Sequence, residues 1–402
     1  MGLPLPQLRG LHVRLEGALT VDIEPFTISQ RAGRARTGIL QTSHGPVRTP
    51  AFMPVGTQAS VKACHPAEVR ASGADILLGN FYHLALSPGV ELVERMGGLH
   101  RFMAWPGPIL TDSGGYQLVS LAELVELDDY GVTFRSHRDG SRLQLTPEAV
   151  VAGQRRLGSD VIMALDQPVA YGVSPELARE ATRRTHLWAE RCRQVEVGAS
   201  LLFGIVQGGF DPRPRRESAG RIAALGFDGL ALGGLVLGEP AQVRQAAIDA
   251  CVDELPEGLP RYVMGLGTDL DLLDAVGRGI DLFDCVLPTR LARTGVALTG
   301  QGRLPLRRAR FREDGRPLEA DCACPACADF SRAYLRHLYL AGEILAHRLL
   351  SLHNLQHLGD LMAAARGAIA RGQLEVLVQE RAQRLTGAGE PGDGPGPAPV
   401  PA

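Results

Sequence analysis

Three aspartates stand where a short apolar run gives way to glycine or polar residues. Asp112 follows Pro108–Leu110 and opens Asp112-Ser113-Gly114-Gly115-Tyr116-Gln117; Asp166 and Gln167 end Asp160–Leu165; Asp284 and Cys285 follow Asp281–Phe283. A lone aspartate after a strand ordinarily caps the next helix, because its carboxylate accepts that helix's first free N–H groups. Three in equivalent places, with Asn80, Tyr82 and His83 after a fourth run, Gln207 before Gly208-Gly209, and Gly233-Gly234-Leu235 after a sixth, point to one shared cleft. Paired carboxylates suit displacement at a sugar carbon: one attacks, the other handles protons, and the transition state is oxocarbenium-like. Glycines beside them let backbone donors approach a flat ligand closely.

The second signature is sulfur. Of 7 cysteines, Cys64, Cys192, Cys251 and Cys285 are scattered, whereas Cys322, Cys324 and Cys327 form C-x-C-x2-C. This is no disulfide framework and suggests a reducing compartment with one metal site. His353 follows Cys327 by 26 residues. Three thiolates and an imidazole fill the tetrahedral shell of Zn2+ and leave no position for water, so one structural zinc per chain is expected. His337, His347 and His357 share the region, and spacing alone separates them from His353 only weakly. A zinc hydrolase would instead need an open metal position and ligands at strand ends. The cysteines lie beyond the last strand, and no histidine pair marks a strand end.

These residues must be positioned by something regular. Eight runs rich in Ile, Val, Leu or Phe recur: Pro50–Val55, Asp75–Leu78, Pro108–Leu110, Asp160–Leu165, Leu201–Val206, Gly229–Leu232, Arg261–Met264 and Asp281–Phe283. Each reads as a buried parallel strand. Helices open at Thr146-Pro147-Glu148 and Ser174-Pro175-Glu176, with a hydroxyl at the N-cap and proline in the first turn. Others begin near Ser87-Pro88, Pro240 and Thr268-Asp269. Strands alternating with helices predict a parallel sheet with right-handed crossovers. Eight such units predict a TIM (β/α)8 barrel, with a doubly wound sheet as the alternative. Barrel active sites gather at the C-terminal strand ends, where the polar residues fall. Two insertions interrupt the pattern: a hairpin, Val132–Phe134 and Leu143–Leu145 around Arg138-Asp139-Gly140-Ser141, and a zinc-binding subdomain at about 300–360. The expected organisation is an N-terminal extension over 1–25, a catalytic barrel over 26–385, and a disordered Gly/Pro-rich tail over 386–402.

Bulk composition narrows the class. The chain has 402 residues, 45% hydrophobic and 21% charged, which suits a folded globular protein. No run of apolar residues is long enough to span a membrane. Met1–Glu24 lacks the basic segment and apolar core of a secretory signal, so a cytoplasmic location is expected. A formal net charge of −2 announces no nucleic-acid partner, so any RNA footprint must be local. Arg290 and Arg293, close after Asp284, could hold phosphates or base edges at the rim. Arg303, Arg307, Arg308, Arg310 and Arg312 add a basic run that is either a second contact or a solvated face.

Together these motifs resemble the tRNA-guanine transglycosylases of bacterial type. The resemblance is carried by Asp112–Gln117, Gly204-Ile205-Val206-Gln207-Gly208-Gly209, Gly233-Gly234-Leu235, Phe283-Asp284-Cys285-Val286-Leu287-Pro288-Thr289-Arg290 and the cysteine cluster, with Asn80–Leu84 and Thr133–Gly140 in support. It runs in order from about Phe26 to about Leu385. It implies a homodimeric TIM-barrel pentosyltransferase that exchanges guanine at the tRNA wobble position for 7-aminomethyl-7-deazaguanine (preQ1). By resemblance, Asp284 is the nucleophile, forming a covalent aspartyl–RNA intermediate, and Asp112 is the general acid/base of a ping-pong exchange. The target base must be flipped out of the anticodon loop. Ser113, Gly114, Gly115, Asp166, Gln207, Gly234 and Leu235 would line the base site and read its edge. Tyr116 and Met264 would sandwich its faces. Glu239 would pair with the aminomethyl cation. Gly265, Leu266, Gly267, Thr268, Asp269, Leu270 and Asp271 would line the RNA path, and Thr289, Arg290, Leu291, Ala292 and Arg293 would touch the anticodon. By analogy the substrates are tRNAs with guanine at the wobble position followed by uridine.

The chain departs from the common bacterial pattern in places. Asp166-Gln167-Pro168 stands for Asp-Glu-Cys, and Gly234-Leu235-Val236-Leu237-Gly238-Glu239 for Gly-Leu-Ala-Val-Gly-Glu. Tyr116–Leu121 leans toward the eukaryotic enzymes, which insert queuine directly. Leu237 is bulky where queuine users carry a small residue, and this favours preQ1. The archaeal branch carries added C-terminal RNA-binding domains, whereas 49 residues follow His353 here. A catalytically silent RNA-binding partner subunit is the other reading; the presence of Asp112, Asp166 and Asp284 together argues against it.

Overall fold

The computed structural model describes residues 11–12, 22–121, 123, 125–135 and 140–387. Most of the expected N-terminal extension, the Arg138-Asp139 hairpin tip and the tail from 388 onward lie outside the described residues.

Eight strands form the centre: β1 (Ala51–Pro54), β2 (Leu77–Asn80), β3 (Ile109–Asp112), β4 (Val161–Met163), β5 (Leu201–Val206), β6 (Gly229–Leu232), β7 (Arg261–Val263) and β8 (Leu282–Cys285). Neighbours pair in parallel in the order β1-β8-β7-β6-β5-β4-β3-β2. A parallel bridge from Val55 to Leu78 closes β2 onto β1. The fold is the expected TIM barrel rather than a doubly wound sheet. Three strands run two residues further than their apolar runs, so Asn80, Asp112 and Asp284 belong to strands instead of loops.

Strand parity then aims the side chains, because successive residues point to opposite faces. Leu78, Leu110, Ile205, Tyr262 and Leu282 share one buried cluster in the barrel lumen. Two residues along each strand stand Asn80, Asp112, Gln207, Met264 and Asp284, all on the lumen side at the C-terminal mouth. Residues of the opposite parity, Leu77, Ile109, Val206, Val263 and Phe283, face the surrounding helices.

The helices start as their sequences dictate. Thr146 accepts from the Ala149 N–H ahead of Pro147–Arg156, and Ser174 accepts from the Leu177 N–H ahead of Pro175–Arg193. The hairpin insertion gains a third strand: Val125–Leu127 pairs with Val132–Arg135, which pairs with Arg142–Leu145.

The largest element missed by the sequence reading is an antiparallel sheet of Phe26–Ala32, Ala35–Thr42 and Gly45–Thr49. It plugs the lumen opposite the mouth, with Phe26, Leu40 and Val47 packed against the lumen residues Ala51 and Leu282. Arg36, only 1% exposed, reaches Asp281 just before β8 through Nε at 2.9 Å and Nη2 at 2.5 Å. A buried carboxylate needs this compensation, because an unpaired charge away from water costs several kcal/mol.

After β8 the chain builds a hairpin (Val296–Thr299 and Gly302–Pro305), two short helices (Pro325–Asp329 and Arg332–Leu340), the long helix Ile344–Ala370 and a last helix, Leu374–Gly387. Asn354 of the long helix is buried. Its Oδ1 accepts from the Leu298 N–H at 2.7 Å, and its Nδ2 donates to the Pro288 and Val296 carbonyls at 2.9 and 3.1 Å. One side chain thus fastens the inserted subdomain to the segment that leaves the barrel mouth.

Candidate active site

Asp284, near the end of β8, accepts from the Tyr262 hydroxyl at 2.5 Å and from the Gly265 N–H at 2.9 Å. Both bonds fall on Oδ1, which leaves Oδ2 as the oxygen that can attack. Burial pushes the Asp284 carboxyl up from its ordinary value, and these two donors pull it back toward the charged form. Asp112, at the end of β3, accepts from Asn80 Nδ2 at 2.8 Å and from the Phe81 N–H at 3.3 Å. Burial, and then the charge of Asp284, push its carboxyl up to about 8. It therefore carries a proton at neutral pH, as a general acid must.

Asp166 lies just past β4, where the strand has ended. Gln154 receives the Met163 N–H at 2.9 Å and donates to the Met163 carbonyl at 2.8 Å, taking over the ladder bonds. Parity no longer governs there, and the Asp166 side chain meets Gln207 Nε2 at 2.6 Å. Burial raises its carboxyl to about 6, opposed by the Gln207 bond and by the charge of Arg215. The surrounding glycines are steric requirements. A Cβ on Gly115 would lie 2.1 Å from Asp166 Oδ1, and one on Gly233 would lie 2.6 Å from Gln207 Nε2. Gly114 and Gly234 hold φ of +87° and +66°, a region that favours glycine. Ser113 and Leu235 are buried in the same wall, whereas Tyr116 stands 56% exposed, its ring open to a ligand, and Met264 is half-buried.

Two residues of this site escaped the sequence reading. Tyr262 sits inside an apolar run, and its only signal was a hydroxyl at an inward-facing position. Arg215 is fully buried and donates to the Gly209, Val206 and Gly233 carbonyls at 2.6, 3.1 and 2.8 Å, locking the end of β5 to the turn after β6.

Several of the expected contact residues have partners within the protein, Glu239 first among them. Its side chain is fully buried, accepts from the Val236 and Leu237 N–H groups at 2.7 and 2.8 Å, and pairs with Arg244 at 3.3 Å. Gly265 serves Asp284. Leu266, Gly267 and Asp269 are buried, and Asp269 is held by His357 at 2.9 Å and Arg381 at 3.0 Å. Asp271 is engaged by Thr268 and Arg244. Thr289, Leu291 and Ala292 are buried as well. Of these two segments, Thr268, Leu270, Arg290 and Arg293 are exposed and Asp271 is half-buried. The cause is common: both segments run into helices, Asp269–Gly277 and Leu287–Arg293, whose alternate turns must pack inward.

The sulfur cluster is brought together as expected. Cys322, Cys324 and Cys327 place Sγ at 3.6, 3.5 and 3.3 Å from His353 Nδ1. A tetrahedral ion with thiolates at 2.3 Å and an imidazole at 2.0–2.1 Å requires roughly 3.6 Å between them. The His353 Nε2–H donates to the Leu298 carbonyl at 2.7 Å, which fixes the tautomer and turns the Nδ1 lone pair to the sulfurs. His357, the nearest competitor, is spent on Asp269. The cluster can therefore hold one metal ion.

The fold and the site define a (β/α)8-barrel enzyme with carboxylates gathered at its mouth and a Cys3His cluster in an insertion. Its sequence matches the family described as Queuine tRNA-ribosyltransferase over residues 31–387. It is 51% identical over 353 residues to the queuine tRNA-ribosyltransferase of Oleidesulfovibrio alaskensis, covering 87% of this chain and 94% of that one. It is 52% identical over 349 residues to that of Sorangium cellulosum (87% and 89%) and 49% identical over 369 residues to that of Cereibacter sphaeroides (91% and 98%). The chain belongs to the queuine tRNA-ribosyltransferase family.

Proposed function

We propose that this chain exchanges guanine at the wobble position of tRNA for the queuosine precursor preQ1 by double displacement at one ribose carbon. The observation that supports this best is the unequal carboxylate pair: Asp284 anchored through Oδ1 alone, and Asp112 kept protonated by burial beside it. Asp284 Oδ2 attacks C1′ of the flipped nucleotide as its bond to guanine breaks. The bonding pair leaves with guanine, which takes the proton of Asp112. In the second half, the incoming base gives its proton to Asp112, its nitrogen attacks C1′, and the Asp284 ester bond breaks. Asp166 and Gln207 read the polar edge of the base, with backbone at Gly234 and Leu235, while Tyr116 and Met264 cover its faces. Arg290 and Arg293, exposed beyond Asp284, supply the local cations that the acidic chain needs to meet RNA.

We assign Zn2+ to Cys322, Cys324, Cys327 and His353, where it fills a closed shell and supplies folding free energy instead of a reacting group. Leu237 narrows the space beside the base and favours preQ1 over queuine. The resemblance further implies a homodimer in the cytoplasm. No helix among the described residues is long and apolar enough to cross a membrane.

The deciding experiment is exchange of radiolabelled guanine into an anticodon stem-loop RNA, with Asp284→Asn as the control. The wild type should incorporate label, be blocked by unlabelled preQ1, and trap a covalent RNA adduct; Asp284→Asn should do neither chemistry nor trapping. Full exchange by Asp284→Asn would remove the nucleophile. Blockade by queuine in place of preQ1 would move the chain to base salvage.

A further inference from the structure

A second cluster of ligating side chains lies at the opposite end of the barrel from the carboxylates. Asp160 immediately precedes β4, and its carboxylate is fully buried. Its two oxygens face two imidazoles, His44 Nδ1 at 2.8 Å from Oδ1 and His100 Nε2 at 3.0 Å from Oδ2. The His44 N–H also donates to Oδ1 at 3.0 Å, and the Ile109 N–H to Oδ2 at 2.9 Å. Four separate elements meet here: the turn between Ala35–Thr42 and Gly45–Thr49, the helix Gly98–Met103, and the starts of β3 and β4.

We propose that His44, His100 and Asp160 form a second metal site, for a divalent transition ion of borderline softness such as Ni2+, Co2+ or Zn2+. Two imidazoles and a carboxylate are the donor set such ions favour, with water completing the shell. The one ligating atom that each offers lies within 4.8 Å of the others. Two ligands at about 2.1 Å from a metal and at right angles are roughly 3.0 Å apart, which the two nitrogen–oxygen separations match.

Charge argues in the same direction. Among the described residues no arginine or lysine pairs with Asp160, in contrast to Asp281, whose buried carboxylate is held by Arg36. The two imidazole rings are stacked at 3.5 Å between centroids and 14° between planes, each turning one nitrogen to the carboxylate. A divalent ion between them and the carboxylate supplies the positive charge that Asp281 takes from Arg36. Binding needs the rings to fan apart until their lone pairs converge. The His44 side chain, 41% exposed on its turn, has room to do so and leaves the ion a path from solvent. The ring proton that faces Asp160 moves to the outer ring nitrogen, so each imidazole ligates in its neutral form. The site sits at the N-terminal strand ends, the face of a barrel that serves stability. An ion there would clasp the plug sheet to the barrel and leave base exchange untouched.

The test uses untagged protein whose Cys3His centre is already filled, titrated with Ni2+ by calorimetry and followed by thermal unfolding. The wild type should bind about one equivalent and unfold at a higher midpoint with Ni2+ present. His44→Gln and His100→Gln keep an amide donor toward Asp160, so they should fold and exchange guanine at the wild-type rate while losing both effects. If His100→Gln does not fold, His44→Gln on the exposed turn decides alone. No saturable Ni2+ binding by the wild type, or the same stoichiometry in His44→Gln, would leave only a hydrogen-bonded triad and overturn the proposal. Because the readout is metal binding, that outcome says nothing against the exchange chemistry at the mouth.

Discussion

Gly115→Ala isolates the geometry of base recognition with a single methyl group. Gly115 does not have a positive φ, so alanine is free to adopt its backbone and the effect is one of contact. The added Cβ would lie 2.1 Å from Asp166 Oδ1 and 3.1 Å from the Asp166 carbonyl oxygen. Real contacts of this kind stay beyond 3.0 Å, so the carboxylate must retreat by about 1 Å, which costs on the order of 100-fold when a reacting partner is misplaced. The retreat also strains the 2.6 Å bond from Gln207 on the other carboxylate oxygen. A hundredfold loss is about 2.7 kcal/mol of transition-state stabilisation, and crowding a packed wall costs roughly 1–3 kcal/mol of stability. Guanine exchange measured with base and RNA varied separately should place the loss in kcat/KM for the base, with the KM for RNA unchanged. A kcat/KM for the base within about threefold of wild type would mean that Asp166 does not hold the ligand from where it stands, and the recognition argument would fail. Gly220→Ala is the matched control: it lies in the helix Pro212–Ala223 with nothing within 4 Å of its Cβ, and should stabilise the fold by about 1 kcal/mol without touching exchange.

Other outcomes follow from the same structure. The Asp112 carboxyl sits at about 8 against an ordinary 3.8, so its ionisation opposes folding increasingly as pH rises from about 4 to about 8. Asp112→Asn should therefore raise the unfolding midpoint more at pH 8 than at pH 5, while abolishing exchange; an equal rise at both would contradict the burial argument. Base binding should weaken below pH about 6 as Asp166 takes a proton, seen as a rising KM for the base. Cys324→Ser should lose most of the bound zinc together with thermal stability, and unchanged zinc by metal analysis would reject the assigned shell. Leu237→Gly should open the site to queuine, and an unchanged ratio of queuine to preQ1 turnover would show that another residue is the filter.

The sequence by itself determined the barrel, because eight buried strands flanked by capped helices leave few ways to cover both faces of a parallel sheet. It also determined which strand ends carry carboxylates. With parity counted from Leu110 and Leu282, the inward aim of Asp112 and Asp284 was already implicit in two-residue spacing. The sulfur cluster was equally legible, since C-x-C-x2-C has few other uses, although only the Leu298 carbonyl bond settled which histidine completes it. The tertiary structure decided what depends on partners distant in sequence. Only folding shows that Glu239 meets two backbone donors and Arg244. Asp269 meets His357 and Arg381, which arrive from helices about a hundred residues later. Tyr262 offered only an inward-facing hydroxyl until Asp284 stood 2.5 Å away. The plug sheet was missed because short polar alternation becomes a strand only when the open end of a barrel needs covering. Local spacing fixes the direction of a side chain, but its charge state and its freedom to act depend on what burial brings beside it.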